Sequence, residues 1–236
     1  MKRHLFFCFM VLLISLSGCA NKTPEEGAVG VINGESITSE MVEDKIKDLL
    51  LQKDMQKTNL EYLQKIERSE KIEEMILQTE EKLAAEITPN LAFNQLAREI
   101  VQEQEAKRQG LTVPDAEIEK MIEQSRETEK MIDKESEDYR MMQEYKNKLM
   151  DVKDLKTEKE YEDYLRGRMK KRFPIGLLKE TFKEKMAESL AKEHPELIGE
   201  KFRPALEEKY QEYLEELLAS AKVEIIDENF SIEPMK

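Results

Sequence analysis

Apolar residues in this chain recur mostly three and four positions apart, and they take on a strand-like character only towards the two ends. Val29, Val31 and Ile32 lead into Asn33-Gly34, and Glu35-Ser36-Ile37 follows. Asn-Gly between apolar residues is the strongest short-range hairpin signal, because both central residues of a type I′ turn need positive φ. Thr38 can then cap a helix, with Glu40 well placed in its first turn. Val42, Ile46, Leu49 and Leu50 share one face of that helix. A second helical stretch is predicted from about Asn59 to Glu86, with Ile72, Met75, Ile76 and Leu83 on its apolar face, and Thr88-Pro89-Asn90 breaks it.

The pattern continues as helices. Phe93, Leu96, Ala97, Ile100, Val101 and Gln104 form a stripe over about 91–109, closed by Gly110 as a C′ residue. Pro114 suits a first helical position, and Ile118, Met121, Ile122 and Ser125 continue a buried face. The apolar signal thins to Met131 and Ile132 and resumes with Met142, Tyr145 and Leu149. Thr157 with Glu160 makes a capping box. Tyr161, Tyr164, Leu165 and Met169 form the next stripe, Phe173-Pro174 is expected to interrupt it, and Leu178, Phe182 and Met186 take it up again. Residues 193–199 read as a break. Phe202, Leu206, Tyr210, Tyr213, Leu214, Leu217 and Leu218 mark a last helix, and 222–227 has the β-branched content of a strand. A lone hairpin is marginal in water, so pairing the last strand with the first hairpin is the economical arrangement. The fold class predicted is mainly α, many helices with a small sheet that joins the two ends.

Composition removes several kinds of chemistry. The two cysteines are Cys8 and Cys19, the two histidines are His4 and His194, and there is no Trp. Cys8 and His4 fall in an N-terminal segment with Lys2 and Arg3 followed by an apolar run from Leu5 to Leu16, which reads as a secretory signal. That run is shorter than the ~20 residues a spanning helix needs. Beyond it no thiol nucleophile, Cys-based zinc site or multi-histidine cluster can be assembled, provided Cys19 is itself consumed. His194 precedes Pro195, where a helix ends, and suits a dipole partner better than a catalyst. The formal charge is −13, and −15 once 1–18 are removed. That acidity argues against nucleic acid and against electrostatic attachment to anionic lipid. No Gly-rich phosphate loop occurs. Asp133, Glu135, Glu137 and Glu144 are spaced as in a calcium loop, but the sixth position is Asp138, where the turn needs Gly, and a solvated acidic face is the simpler reading. No metal or cofactor is expected.

Leu16-Ser-Gly-Cys19 resembles the bacterial lipobox. The resemblance implies cleavage between Gly18 and Cys19 and acylation of Cys19, palmitate being one of the chains. Two chains anchor stably, since each buried methylene is worth ~0.8 kcal/mol. Residues 19–27 then read as a short tether, and the protein is expected on the outer face of the cell membrane.

Three further pieces bear a family resemblance. Val29-Gly-Val-Ile-Asn-Gly-Glu-Ser-Ile-Thr38 resembles the V-N-G-x-x-I-T hairpin that opens SurA/PrsA-type chaperone domains. Ala106-Lys-Arg-Gln-Gly-Leu-Thr-Val-Pro-Asp-Ala-Glu-Ile118 resembles their A-K-x-x-G-I-x-V-x-D-x-E-I/V helix-turn-helix. Ala221-Lys-Val-Glu-Ile-Ile226 resembles their closing strand. The resemblance implies a SurA N-terminal or trigger-factor-like domain over 28–227, followed by a tail at 228–236, and a lipoprotein signal fits the Gram-positive, PrsA-like branch. Members often carry a parvulin-type prolyl isomerase domain. Here 119–199 lacks a β-rich run and any histidine before His194, so a helical insert over about 126–173 is expected in its place. The implied activity is an ATP-independent holdase or foldase for non-native secreted proteins. Two alternatives stand beside it: an adaptor lipoprotein for one envelope or sporulation partner, and a prolyl isomerase. Met131, Met141, Met142, Tyr145 and Met150 cluster in the insert as candidate client-binding residues, since flexible, polarizable methionine suits varied partners; the same residues also fit the plain apolar face of a helical arm.

Overall fold

The computed structural model describes residues 23–196 and 201–234. It is mainly helical, with seven helices and one small antiparallel sheet. Strands β1 (Ala28–Ile32) and β2 (Glu35–Thr38) form the predicted hairpin. Asn33 (φ 50°) and Gly34 (φ 85°) occupy the left-handed region that the turn demands. Helices α1 (Ser39–Leu63), α2 (Glu70–Ala84), α3 (Pro89–Arg108), α4 (Asp115–Met131), α5 (Glu137–Val152), α6 (Glu158–Glu193) and α7 (Phe202–Ser220) follow, and β3 (Val223–Ile225) closes the order. The sheet order is β2-β1-β3, with Gly30 opposite Ile225 and Ile32 opposite Val223. The predicted return of the last strand to the first is therefore present.

Local chemistry sets most helix starts. Thr38, Ser69, Thr88, Ser136 and Thr157 each accept a hydrogen bond from a backbone N–H in the first turn of the helix they precede. At Thr157 the box is reciprocal: the Thr157 N–H donates to Glu160 Oε2 at 2.9 Å, and the Glu160 N–H donates to Thr157 Oγ1 at 3.2 Å. Pro89 occupies the first turn of α3, where its missing N–H costs nothing. Gly110 follows the end of α3 at φ 72°.

Four expectations need correction. The second helical stretch does not begin near Asn59: α1 continues to Leu63, and the new helix starts only after the Ser69 cap. Pro174 does not interrupt a helix. It is buried inside the 36-residue α6, which spans about 54 Å at 1.5 Å per residue. Tertiary anchors on both sides override the local penalty. Arg166 and Lys170 pair with Glu119 and Asp115 of α4, while Leu178 is buried and Phe182 stacks on Tyr213 of α7 at 4.7 Å. The expected upper limit of the insert, 173, thus lies within one continuous helix. Leu50 and Ser125, placed on buried faces by their spacing, are exposed; Leu51 is buried in place of Leu50. Pro114 precedes the first helical residue and does not occupy it.

The core gathers at the sheet. Val29, Ile32, Ile37, Val42, Ala92, Phe93, Ala97, Ile100, Val101 and Leu218 form one buried cluster, and α3 supplies half of it. Gly30 makes this packing possible. A Cβ there would lie 2.8 Å from the Phe93 ring, and that ring is fully buried. Residues 226–234, of which 228 onwards were expected as a tail, strap across the same core. Phe230 packs on Phe93 with ring centroids 5.1 Å apart. Asn94 donates to the Ser231 carbonyl at 2.7 Å and accepts from the Glu233 N–H at 2.8 Å. Asn90, one turn earlier, accepts from the Ser231 N–H at 2.8 Å.

Candidate functional site

Helix α6 packs on α3, and an open cleft of about 430 Å³ is lined by these two helices and α1. That volume lies within the range of roughly 300–1,000 Å³ typical of ligand sites. Its apolar part comes from Met41 on α1, Leu96 and Ile100 on α3, and Tyr164 and Ile175 on α6. These positions follow from helical spacing: Leu96 and Ile100 are one turn apart on α3, on the edge of its core stripe. A second hollow of about 320 Å³ shares Lys45, Asp48, Arg168 and Arg172 with the cleft and adds Leu49, Leu51, Met55 and Tyr145.

The carboxylates along the cleft are mostly answered by cations of the chain. Lys45, itself buried, pairs with Glu99 at 2.5 Å. The Lys153 ammonium is 5% exposed and sits 2.7 Å from both Asp44 and Asp48. Burial acts to lower the Lys153 pKa, but the two aspartates outweigh it and the net direction is upward. Glu103 pairs with Lys107 at 2.9 Å, and Asp163 pairs with Lys159 and Arg166. On the facing wall Arg168, Lys171 and Arg172 of α6 line the cleft without an ion pair among the described residues. Burial likewise works against the Arg168 charge, but the neighbouring Tyr164 and Tyr145 outweigh it and raise its pKa. Gly167 lies between these cations and Tyr164. A Cβ built on it would meet nothing within 4 Å, although glycine in a helix interior costs roughly 0.5–1 kcal/mol relative to alanine.

The sequence-predicted residues are distributed differently. Gly18 and Cys19 lie outside the described residues. Met131 ends α4 and is 83% exposed. Met141, Met142, Tyr145 and Met150 all lie on α5 and are half-buried; Tyr145 lines the hollow beside the cleft. Exposed apolar side chains occur also on the arm that α1 makes with α2, at Leu50, Tyr62, Met75 and Leu77, and at Leu177, Ile225 and Ile226. Helix α2 packs on α1 and makes no comparable contact elsewhere. His194 caps the end of α6, with Nδ1 3.1 Å from Glu196. Asp133 accepts from the Glu135 N–H at 3.0 Å, and Ser136 donates to its carbonyl, so this acidic turn serves the start of α5. Among the described residues no group of three His, Cys, Asp or Glu side chains is placed to hold a metal ion.

Sequence reasoning passed over Gly167, Arg168, Lys171 and Arg172. The available signal was a glycine inside a strong helical pattern, which calls for a packing or functional reason. The arrangement offers a binding surface that combines apolar side chains with fixed charge. The chain matches no family model, no curated protein and no solved structure. No helix among the described residues is long and apolar enough to cross a membrane.

Proposed function

We propose that this protein is a lipid-anchored chaperone that holds non-native polypeptides at the outer face of the membrane without ATP. The observation that carries this reading is the open α1–α3–α6 cleft. It presents apolar side chains to solvent in a concave surface, in a chain whose exterior is otherwise strongly charged. The exposed residues of the α1–α2 arm add small, separated apolar contacts. Such dispersed surface favours transient association with many partly folded chains over one tight complex. Anchoring through Cys19 places the cleft near emerging secreted chains.

Light scattering tests the holding activity. A chemically denatured client is diluted into the full chain held in nonionic detergent, against a detergent-only control. Suppression of aggregation near stoichiometric ratio is expected; equal scattering in both would sink the reading. Recovery of one stable partner from membranes, in place of many weak clients, would favour an adaptor. Metabolic labelling with a fatty acid tests the anchor, and Cys19→Ala is expected to abolish incorporation.

A further inference from the structure

The occupant of the cleft can be specified by its chemistry, and this step rests on the chaperone reading above. Arg168, Lys171 and Arg172 occupy one stretch of α6 in a chain of net charge −13. Cations in so acidic a protein are expected to find carboxylates, and many here do. These three form no ion pair among the described residues, although Arg168 is hydrogen-bonded to Tyr145 and within reach of the Asp48 charge; of the carboxylates opposite, Asp44 and Asp48 share Lys153, Glu99 pairs with Lys45 and Glu103 with Lys107. Glu35, at the mouth, accepts a long contact from Gln104 at 3.4 Å and also acts on the Lys107 charge. The α6 wall of the cleft is therefore cationic, led by Lys171 and Arg172, and it sits beside apolar Leu96, Ile100 and Ile175.

Gly167 supplies an independent observation. Nothing in the chain lies within 4 Å of the place its Cβ would take, so packing gives no reason for glycine there, and alanine would make a better helix. Glycine on the wall of a site lets another backbone come close. Gly176 in the same helix is equally open but lies outside the cleft; what distinguishes Gly167 is its coincidence with the cationic wall of α6.

We infer that the cleft takes an extended client segment in which an apolar side chain is flanked by Asp or Glu. The segment's backbone crosses Gly167, its apolar side chain rests against Leu96, Ile100 and Ile175, and its carboxylate pairs with Arg168, Lys171 or Arg172. The acidic remainder of the surface repels such segments, which confines their binding to the cleft.

Fluorescence anisotropy with the full chain in nonionic detergent tests this. The probes are short fluorescein-labelled peptides that alternate Leu or Phe with Glu, and matched peptides with Lys in place of Glu. The acidic probe is expected to bind about tenfold tighter than the basic one, the scale of one or two charge contacts. Lys171→Glu with Arg172→Glu, both at exposed positions, is expected to remove that preference. Gly167→Leu fills the cleft yet improves helix propensity; it is expected to abolish probe binding with no fall in the melting temperature followed by circular dichroism. Equal affinity for the two probes, or undiminished binding by Gly167→Leu, overturns the inference. Suppressed client aggregation that survives Gly167→Leu overturns the cleft assignment and leaves the chaperone standing. Acidic-probe binding at the cleft without suppressed aggregation does the reverse.

Discussion

The two halves of this molecule are held together by different physics. Around the sheet, α3 buries Ala92, Phe93, Ala97, Ile100 and Val101 against β1, α1 and α7. Across α4 and α5, by contrast, Ile118, Ile122 and Leu149 are the buried hydrophobic residues. That half is stitched by polar bridges. Arg126 reaches Glu162, Arg166 reaches Glu119, Lys170 reaches Asp115, Lys146 reaches Glu158, and Gln143 donates to Glu129 at 2.7 Å. Helix α6 belongs to both halves: its first turns join the polar seam and its later turns the apolar core. The difference teaches that a chain with 38% charged residues can fold by concentrating its few large apolar groups. The remaining helices are then docked through contacts that individually contribute little, typically ~0.2–1 kcal/mol for exposed pairs. The cleft lies where the two regimes meet, with its apolar wall on α3 and its cationic wall on α6.

The comparison can be broken most severely at Phe93. Phe93→Ala is expected to cost about 3–5 kcal/mol, because the ring is fully buried and also seats Phe230. Denaturant unfolding measures the loss. Hydrogen exchange is expected to show β1, β3 and residues 226–234 opening before α4, and the opposite order would mean that the polar half is the weaker unit.

A second effect concerns a carboxylate within the apolar half. Glu105 is buried and accepts from Arg108 at 2.6 Å, from Gln109 at 2.6 Å and from the Tyr213 hydroxyl at 3.0 Å. The Arg108 hydrogen bond leads in holding its pKa down, to about 2. A folded-state value below the unfolded one gives stability that is complete above about pH 4.5 and is lost as the pH falls towards 2. The loss is on the order of 3 kcal/mol. Unfolding free energies measured across that window are expected to fall in the natural chain, and Glu105→Gln is expected to flatten the Glu105 share of the slope.

Smaller still is the effect expected at Lys153, which ties α5 to α1. Lys153→Ala leaves Asp44 and Asp48 facing each other one helical turn apart, for a cost of about 2 kcal/mol, below the full buried-pair value because Asp44 is exposed. Faster amide exchange in α5 without change in β1 is the expected signature. Least in size is the response to salt. At roughly 1 M the screening length shrinks to about 3 Å, and exchange in α4 is expected to quicken while that of α3 holds. Equal sensitivity of the two helices would erase the distinction between the halves.

These expectations also show what could be read from the sequence and why the rest escaped. Asn33-Gly34, the Thr38 and Thr157 caps and a strand within 222–227 are local signals, and the structure bears each one, the strand as 223–225. Pro174 misled because the rule for proline is local, whereas the forces that keep α6 whole come from α4, α3 and α7. The start of α2 was misplaced because apolar spacing is weak after Leu51, while the decisive Ser69 cap is a single residue. The strap at 226–234 depends on the side chains of Asn90 and Asn94, which meet partners more than 130 positions away. No sequence period reports such a pairing. The cleft escaped for the same reason, since its walls come from three helices; Leu96, Ile100 and Tyr164 were legible only as helix stripes, and Gly167 as a glycine inside one.

The position of β3 has a consequence in time. Lys222 donates its N–H to Asn33 across 189 positions, and β3 and the strap complete the covering of Phe93. During synthesis β1 and β2 are made early, yet their third strand arrives only after every helix has been produced. The sheet acts as a latch that fastens last. Closing so long a loop adds only a slowly growing entropic term, but it makes the final folding step non-local and slow. Until that step the apolar face of α3 stays open, so a protein proposed to shelter unfinished chains would itself pass through a long unfinished state.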